Sequence, residues 1–284
     1  IMFQNKKPGL VTGHKNGTIK VWALDPRREI LATFRAHNGE IPAMASFTIK
    51  EGTFIVSAGL HDKTVKVWSR EHDTPLFVGL GHSSSVSSLV TVYEKNNSPR
   101  VVSGSWDKTL RVWDPIESKI LAVLRGHRSW ITSIVGLPSD NDVGKIASVG
   151  EDRTIRIWKL DCTTAILILG DRDSPLATIS CYDDAMGAPC IVAGGEHANL
   201  ELWSLELRGK KLGTLQGHRK GIRDVACFSD AGNRAARILS AADDLTVRLW
   251  CPSTMICLAI YIADAPLHSF SALAAAEDST VELP

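Results

Sequence analysis

The stretch Val101–Asp114, VVSGSWDKTLRVWD, constrains the fold of this chain more than any other, because its pattern returns at a nearly fixed interval along the sequence. It holds two short apolar runs, Val101 to Ser103 and Leu110 to Trp113, on either side of a polar turn signal at Trp106, Asp107 and Lys108. Alternation with period two puts every second side chain on one face of a strand, and two such runs around a tight polar turn spell a β-hairpin. Aligned on the end of the second run, six copies close at Trp22, Trp68, Trp113, Trp158, Trp203 and Trp250, at intervals of 46, 45, 45, 45 and 47 residues. A seventh closes at Pro284. Thr18, Thr64, Thr109, Thr154, Thr246 and Thr280 stand four places before those ends, with Asn199 in register, and an Asp usually precedes the Thr by two.

A fixed period of about 40 to 45 residues, with Gly-His near the start and Trp-Asp near the end, is the signature of the four-stranded blade of a β-propeller. On these residues the chain resembles the WD-repeat family over essentially its whole length. The resemblance implies an all-β fold: a seven-bladed β-propeller of four-stranded antiparallel blades, with the first and last blades incomplete. The blades are expected at approximately 1–35, 36–81, 82–125, 126–170, 171–216, 217–262 and 263–284. In each, an inner strand a is followed by b, c and an outer d, and a loop carrying Gly-His leads to the next a. Strands d are expected near Glu29–Phe34, Pro75–Leu80, Lys119–Leu124, Ala165–Leu169, Lys211–Leu215 and Met255–Tyr261, with a strands from Ile41, Val86, Ile131, Leu176, Ile222 and Leu267.

The two ends break the regularity. Ile1 to Gln4 aligns with the tail of an a strand, and LHSFS at Leu267 runs into ALAAAE with no residues for the reversal that antiparallel strands need. No d strand follows Pro284. The expectation is a chain that is part of a longer protein or complex.

Composition removes several classes of function. A net charge of +1 offers no electrostatic footprint for nucleic acid. The longest apolar runs, such as Met255–Ala263, fall far short of the ~20 residues of a membrane helix. Six cysteines without a C-x-x-C pair indicate neither a disulfide framework nor a zinc site, and suit reduced thiols in the cytoplasm, with the nucleus as the second choice. Cys181 and Cys190 flank one hairpin turn and are the pair to examine for oxidation.

The resemblance further implies a hydrogen-bonded tetrad in each good blade: His before strand a, Ser or Thr on b, Asp in the b–c turn and Trp on c. His82, Ser103, Asp107 and Trp113 match it, as do His127, Ser148, Asp152 and Trp158, and His218, Ser240, Asp244 and Trp250. In the second blade His37, Asp62 and Trp68 match, with Ala58 at the hydroxyl position and Ser57 one residue out of register. The first blade offers Thr12, Asn16 and Trp22, and the fifth offers Trp203 with Asp171, Ala193 and His197 at the other places.

Ser, His and Asp together raise the question of a hydrolase. Such a site needs one exposed nucleophile beside an oxyanion hole, in one place, whereas this set recurs from blade to blade and reads as structure. No Gly-rich phosphate loop or metal-ligand spacing is present in the sequence, so no catalytic residue, cofactor or metal is expected. Function is then sought on the top face, made of d–a loops and b–c turns. Trp106 occupies the place where other copies have Lys15, His61, Glu151, Glu196, Asp243 or Glu277, and Trp130 the place of Glu40, Ser85 or Gly221. Neighbouring blades should bring Trp106 and Trp130 together, beside Arg128 and His61, with Glu151 close by. Arg172, Arg219, Lys220 and Arg223 should make the far side of that face basic. The expected function is a non-catalytic scaffold that binds a peptide or protein segment there. The alternative is the ligand-sensing propeller of a larger signalling ATPase.

Overall fold

The computed structural model describes residues 9–23, 29–69, 73–138, 143–170, 174–229 and 235–265. The readings made on Ile1–Gln4, on Asp171 and Arg172, and on the segment from Leu267 to Pro284 lie outside the described residues. The described residues form strands joined by turns and loops, with one 3₁₀ turn at Lys95–Asn97, and hold no helix long and apolar enough to cross a membrane.

Among the described residues the strands form six antiparallel sheets, each following the chain from its inner to its outer edge. The first has three strands, β1 (Gly9–Gly13), β2 (Thr18–Ala23) and β3 (Ile30–Arg35). The second has β4 (Ala43–Ile49), β5 (Gly52–Ala58), β6 (Val65–Trp68) and β7 (Phe77–Gly79). The third has β8 (Val86–Tyr93), β9 (Pro99–Ser105), β10 (Thr109–Asp114) and β11 (Lys119–Arg125), and the fourth β12 (Ile131–Leu137), β13 (Lys145–Gly150), β14 (Thr154–Lys159) and β15 (Leu167–Gly170). The fifth holds β16 (Leu176–Asp183), β17 (Pro189–Gly195), β18 (Leu200–Ser204) and β19 (Lys210–Leu215). The sixth holds β20 (Ile222–Ser229), β21 (Ala236–Ala242), β22 (Thr246–Cys251) and β23 (Ile256–Ile262). They gather into two compact units, one built on the first four sheets and one from Leu169 onward.

In the first unit, strands b are apolar without alternation because they are covered on both faces: β9 and β13 are buried at nearly every position, while the outer β11 starts exposed. One cluster joins the second and third sheets through Phe47, Val56, Val67, Val86, Val101 and Trp113. Another joins the third and fourth through Val102, Leu110, Leu124, Ile131, Ile146 and Trp158. Each of these side chains contributes about 1.5–3 kcal/mol on burial, which is why a blade is stable against its neighbours and not alone. Polar contacts fix the inner strands in register: Ser87 Oγ donates to the Ile131 carbonyl at 2.5 Å, and the Ile134 amide donates to Ser88 Oγ at 3.0 Å. In the second unit Val192, Leu202, Ile222, Val225, Ile238 and Trp250 form the core, and Thr178 Oγ1 donates to Asp224 at 3.2 Å across the two inner strands.

The b–c turns share one strained position. Lys63, Lys108, Arg153 and Leu245, each directly after the turn Asp, have φ of 59°, 70°, 65° and 64°, and Gly17 after Asn16 has 82°. A non-glycine residue in this left-handed region costs about 1–2 kcal/mol. The turn side chain offsets that cost: Asp107 Oδ1 accepts from the Thr109 amide at 2.9 Å and the Thr109 hydroxyl at 2.6 Å, and Asp244 does the same for Thr246 at 3.0 and 2.6 Å. This is why Asp precedes Thr by two in the repeat.

The pair singled out for oxidation needs correction. Cys190 pairs with Tyr182 across β16 and β17, and Cys181 pairs with Ile191. Partners share a face and successive residues alternate, so the two thiols point to opposite faces and cannot bond. All six cysteines are free, and burial pushes the thiols of Cys181 and Cys190 up to about 11.

Candidate functional site

The residues read as tetrads are brought together by three elements: the d–a crossing supplies His, strand b the hydroxyl, and the b–c hairpin Asp and Trp. In the third blade His82 Nδ1 lies 2.7 Å from Asp107 Oδ2, His82 Nε2 lies 2.8 Å from Ser103 Oγ, and Trp113 Nε1 donates to Ser103 Oγ at 2.9 Å. The fourth blade repeats this with His127, Asp152, Ser148 and Trp158 at 2.8, 2.7 and 2.8 Å. The sixth repeats it with His218, Asp244, Ser240 and Trp250 at 3.1, 2.7 and 2.8 Å. With a neutral ring, Nδ1–H donates to the carboxylate, so Nε2 accepts the Ser O–H while the Ser oxygen accepts the indole N–H. Every polar group is satisfied, which in a buried network avoids about 1–3 kcal/mol per group. Ser103, Ser148 and Ser240 have no exposed surface, so these hydroxyls meet no substrate.

The second blade also has a complete network, and here the sequence reading fails. Ser57, not Ala58, takes the hydroxyl place: His37 Nε2 lies 2.7 Å from Ser57 Oγ, Trp68 Nε1 donates to it at 2.8 Å, and His37 Nδ1 lies 2.9 Å from Asp62. Ser57 pairs with Lys66 as Ser103 pairs with Arg111, so the ladder is in register and the turn before Asp62 is one residue longer. Ala58 points the other way, into the apolar cluster with Val86 and Val101. In the first blade Trp22 Nε1 donates to Thr12 Oγ1 at 2.8 Å, and His14, from the b–c turn itself, lies 3.0 Å from the same hydroxyl. That histidine was missed because its place in the repeat differs.

A second regularity also escaped the sequence reading. The residue on strand c that pairs with the hydroxyl is a cation: Lys20 opposite Thr12, Lys66 opposite Ser57, Arg111 opposite Ser103 and Arg248 opposite Ser240. Lys20, Lys66 and Arg248 lie over the rings of Trp22, Trp68 and Trp250 at 5.7, 5.9 and 5.9 Å. In the fifth blade Ala193 replaces the hydroxyl and its partner is Glu201, a reversal of charge. Lys211 on the outer strand pairs with Glu201 at 2.5 Å, and His197 is exposed. A cavity of about 490 Å³ opens there, lined by Ala193, His197, Glu201, Trp203, Lys211 and Gln216.

Burial lowers the pKa of His37 and His218 below the ordinary 6.5, against the pull of Asp62 and Asp244. Burial would raise the carboxyls of Asp62, Asp107 and Asp244, but hydrogen bonds from the histidines, the turn threonines and backbone amides hold them below the ordinary 3.8. Both kinds of group bind fewer protons folded than unfolded, so stability is present at high pH and is lost on acidification. Urea midpoints are expected to fall as pH drops through 6.5, from the histidines, and again below 3.8, from the aspartates. A midpoint that rises on crossing 6.5 would show instead that His37 and His218 are charged in the native blades.

In the first unit the described residues singled out on the sequence fall at one end of the sheets. Thr109 pairs with Arg125, so the b–c turn 106–108 and the crossing from β11 to β12 lie at the same end. There Trp106 and Trp130 stack, with centroids 4.8 Å apart and planes at 15°. The Trp106 amide donates to the Ser85 carbonyl at 3.0 Å, and the Trp130 carbonyl accepts from the Glu151 amide at 2.9 Å, so both backbones are pinned. Trp130 is 47% exposed and Trp106 half-buried. The Arg128 side chain is exposed, and its amide donates to Asp152 at 2.8 Å. His61 is exposed and lies against Gly39, where an added Cβ would come within 2.2 Å of its ring. In the second unit Arg219 and Lys220 are exposed, but Arg223 is held by both oxygens of Asp243 at 2.7 and 2.5 Å, so the expected basic cluster is partly neutralised. Among the described residues no group of three His, Cys, Asp or Glu is placed to hold a metal.

The profile of the family described as WD domain, G-beta repeat matches residues 28–69, 74–114, 118–159 and 209–251. The nuclear distribution protein nudF 2 of Aspergillus clavatus is 32% identical over 76 residues, which are 27% of this chain and 17% of that relative's length. WD40 domains are in general non-catalytic scaffolds whose repeats mediate contacts between proteins. With four repeats matched across more than half of the sequence, and sheets that carry the His, Ser, Asp and Trp network of the repeat, this chain belongs to the WD40 family and its sheets are blades of a β-propeller.

Proposed function

We propose that this chain is a non-catalytic interaction module that binds a protein segment at the end of its blades bearing the b–c turns, with Trp106 and Trp130 as the anchor. The observation that carries the reading is the stacked pair, 4.8 Å apart with Trp130 47% exposed, on a rigid scaffold. Tryptophans dominate binding energy at protein interfaces, and rings with pinned backbones lose little further freedom when a partner arrives. The complete tetrads close their hydroxyls to substrate, which supports a scaffold over a hydrolase. The cytoplasm suits six free thiols.

Truncating both rings, Trp106→Ala with Trp130→Ala, is expected to leave the melting temperature close to that of the parent. Affinity for a captured partner should fall at least about thirtyfold, the effect of losing ~2 kcal/mol at a hot spot. Capture from lysate, followed by titration of the purified partner, measures this. An unchanged affinity in the double variant would place recognition elsewhere.

A further inference from the structure

We infer that the segment received at Trp106 and Trp130 is acidic: an extended stretch with Asp and Glu on both sides of an apolar or aromatic side chain that packs on the indole pair. The inference rests on the reading just proposed and adds the chemistry of the partner. Its basis is a charge asymmetry that the net charge of +1 conceals. In the first unit, the end of the blades that carries the indole pair exposes Lys15, Arg35, Lys63, Lys108, Arg125 and Arg128. Against these six, the described acidic residues at that end outside the tetrads are Glu40 and Glu151, both part-buried. The tetrad aspartates do not redress the balance, because their carboxylates are taken up internally: Asp107 by His82 and Thr109, and Asp152 by His127 and the Arg128 amide.

Three of the cations also neighbour the indoles along the chain or through the crossing beside them. Lys63 Nζ donates to the Ser83 carbonyl at 3.0 Å, which lays its head on the crossing whose Ser85 carbonyl holds the Trp106 amide. Lys108 follows Trp106 by two residues, and Arg128 precedes Trp130 by two. Each indole thus has an exposed cation two residues away along the chain, and a third cation reaches the adjoining crossing. Charge of one sign around an apolar centre steers an oppositely charged segment and sets its register, while the buried centre supplies the affinity. A protein segment fits better than single-stranded nucleic acid. The indoles stack on each other, using one face of each, and Trp106 is half-buried, which leaves less open ring face than successive stacked bases require.

The test uses fluorescence anisotropy with three short labelled peptides sharing one central Trp, flanked by Asp and Glu, by Asn and Gln, or by Lys. An oligothymidylate serves as the competing polyanion. The acidic peptide is expected to bind the intact protein at least about tenfold tighter than the neutral one, with the advantage shrinking as salt rises. Lys63→Glu with Arg128→Glu should abolish that preference at an unchanged melting temperature, and Trp106→Ala with Trp130→Ala should lose both peptides. If the neutral peptide binds as tightly as the acidic one and both need the indoles, the inference is wrong and the proposed function stands. If the acidic peptide binds but tolerates the Trp double variant, the anchor is wrong and the inference falls with it. No binding of the acidic peptide, or oligothymidylate binding as tightly through the same indoles, also overturns it.

Discussion

Replacing Trp158 by alanine is expected to destabilise the first unit by ~3–5 kcal/mol, the range for removing a large aromatic ring from a packed core. The ring has no exposed surface and lies in one apolar cluster with Val102, Leu110, Ile131, Ile146 and Leu160, drawn from two neighbouring blades. Two costs add. The void cannot collapse, because the surrounding side chains sit on hydrogen-bonded sheets, and Ser148 loses the indole N–H that donates to it at 2.8 Å. Trp158→Phe separates them, keeping most of the apolar volume and losing the donor, so its cost should be nearer ~1 kcal/mol. Urea titrations of the three proteins make the comparison. Alanine and phenylalanine variants of equal stability would show that the polar network, and not packing between blades, dominates there.

The second large effect concerns the turn aspartates. Asp107 accepts from His82 Nδ1 at 2.7 Å, the Ser83 amide at 3.0 Å, the Thr109 amide at 2.9 Å and the Thr109 hydroxyl at 2.6 Å. Asp107→Ala leaves the buried histidine without its acceptor and the left-handed Lys108 without compensation. The expected loss is ~3 kcal/mol, the upper end for buried unsatisfied groups. His197→Ala, at the corresponding place in the fifth blade but exposed, should stay within ~0.5 kcal/mol of the parent, as surface substitutions do. Thermal melts decide it. Equal losses would mean that the fifth blade holds its turn by a network of another composition.

Much of this was legible in the sequence because a blade has one geometry. The strand pattern, the Trp positions and the partners of Ser103, Ser148 and Ser240 follow once the period is set, and the approach of Trp106 to Trp130 follows from their blades being neighbours. Ser57 was misread because alignment counts residues from the turn, whereas the ladder counts from its hydrogen bonds, and the longer turn at Gly59–Lys63 separates the two counts. Cys181 and Cys190 were misjudged because proximity around a turn says nothing of parity, which decides the face. Glu201 could have been found: KVW, KVW, RVW, RIW and RLW in the other blades stand against ELW here. What no sequence reading supplies is the half-burial of Trp106, which depends on what the neighbouring crossing lays over it.

The separation between histidine and aspartate is 25 residues in three tetrads and 26 in the fourth. Each network therefore fastens a ring of chain of nearly the same size, and the entropy of closing a loop depends weakly on its length, as ~(3/2)RT ln n. No tetrad has a head start. Because a ring closes within its own blade, assembly of the first unit can begin at any of its fastened blades and pass outward through contacts such as Ser87 to Ile131, in the manner of a one-dimensional array. In the second unit the described ring is the one that His218 and Asp244 close, so assembly there can start from the sixth blade.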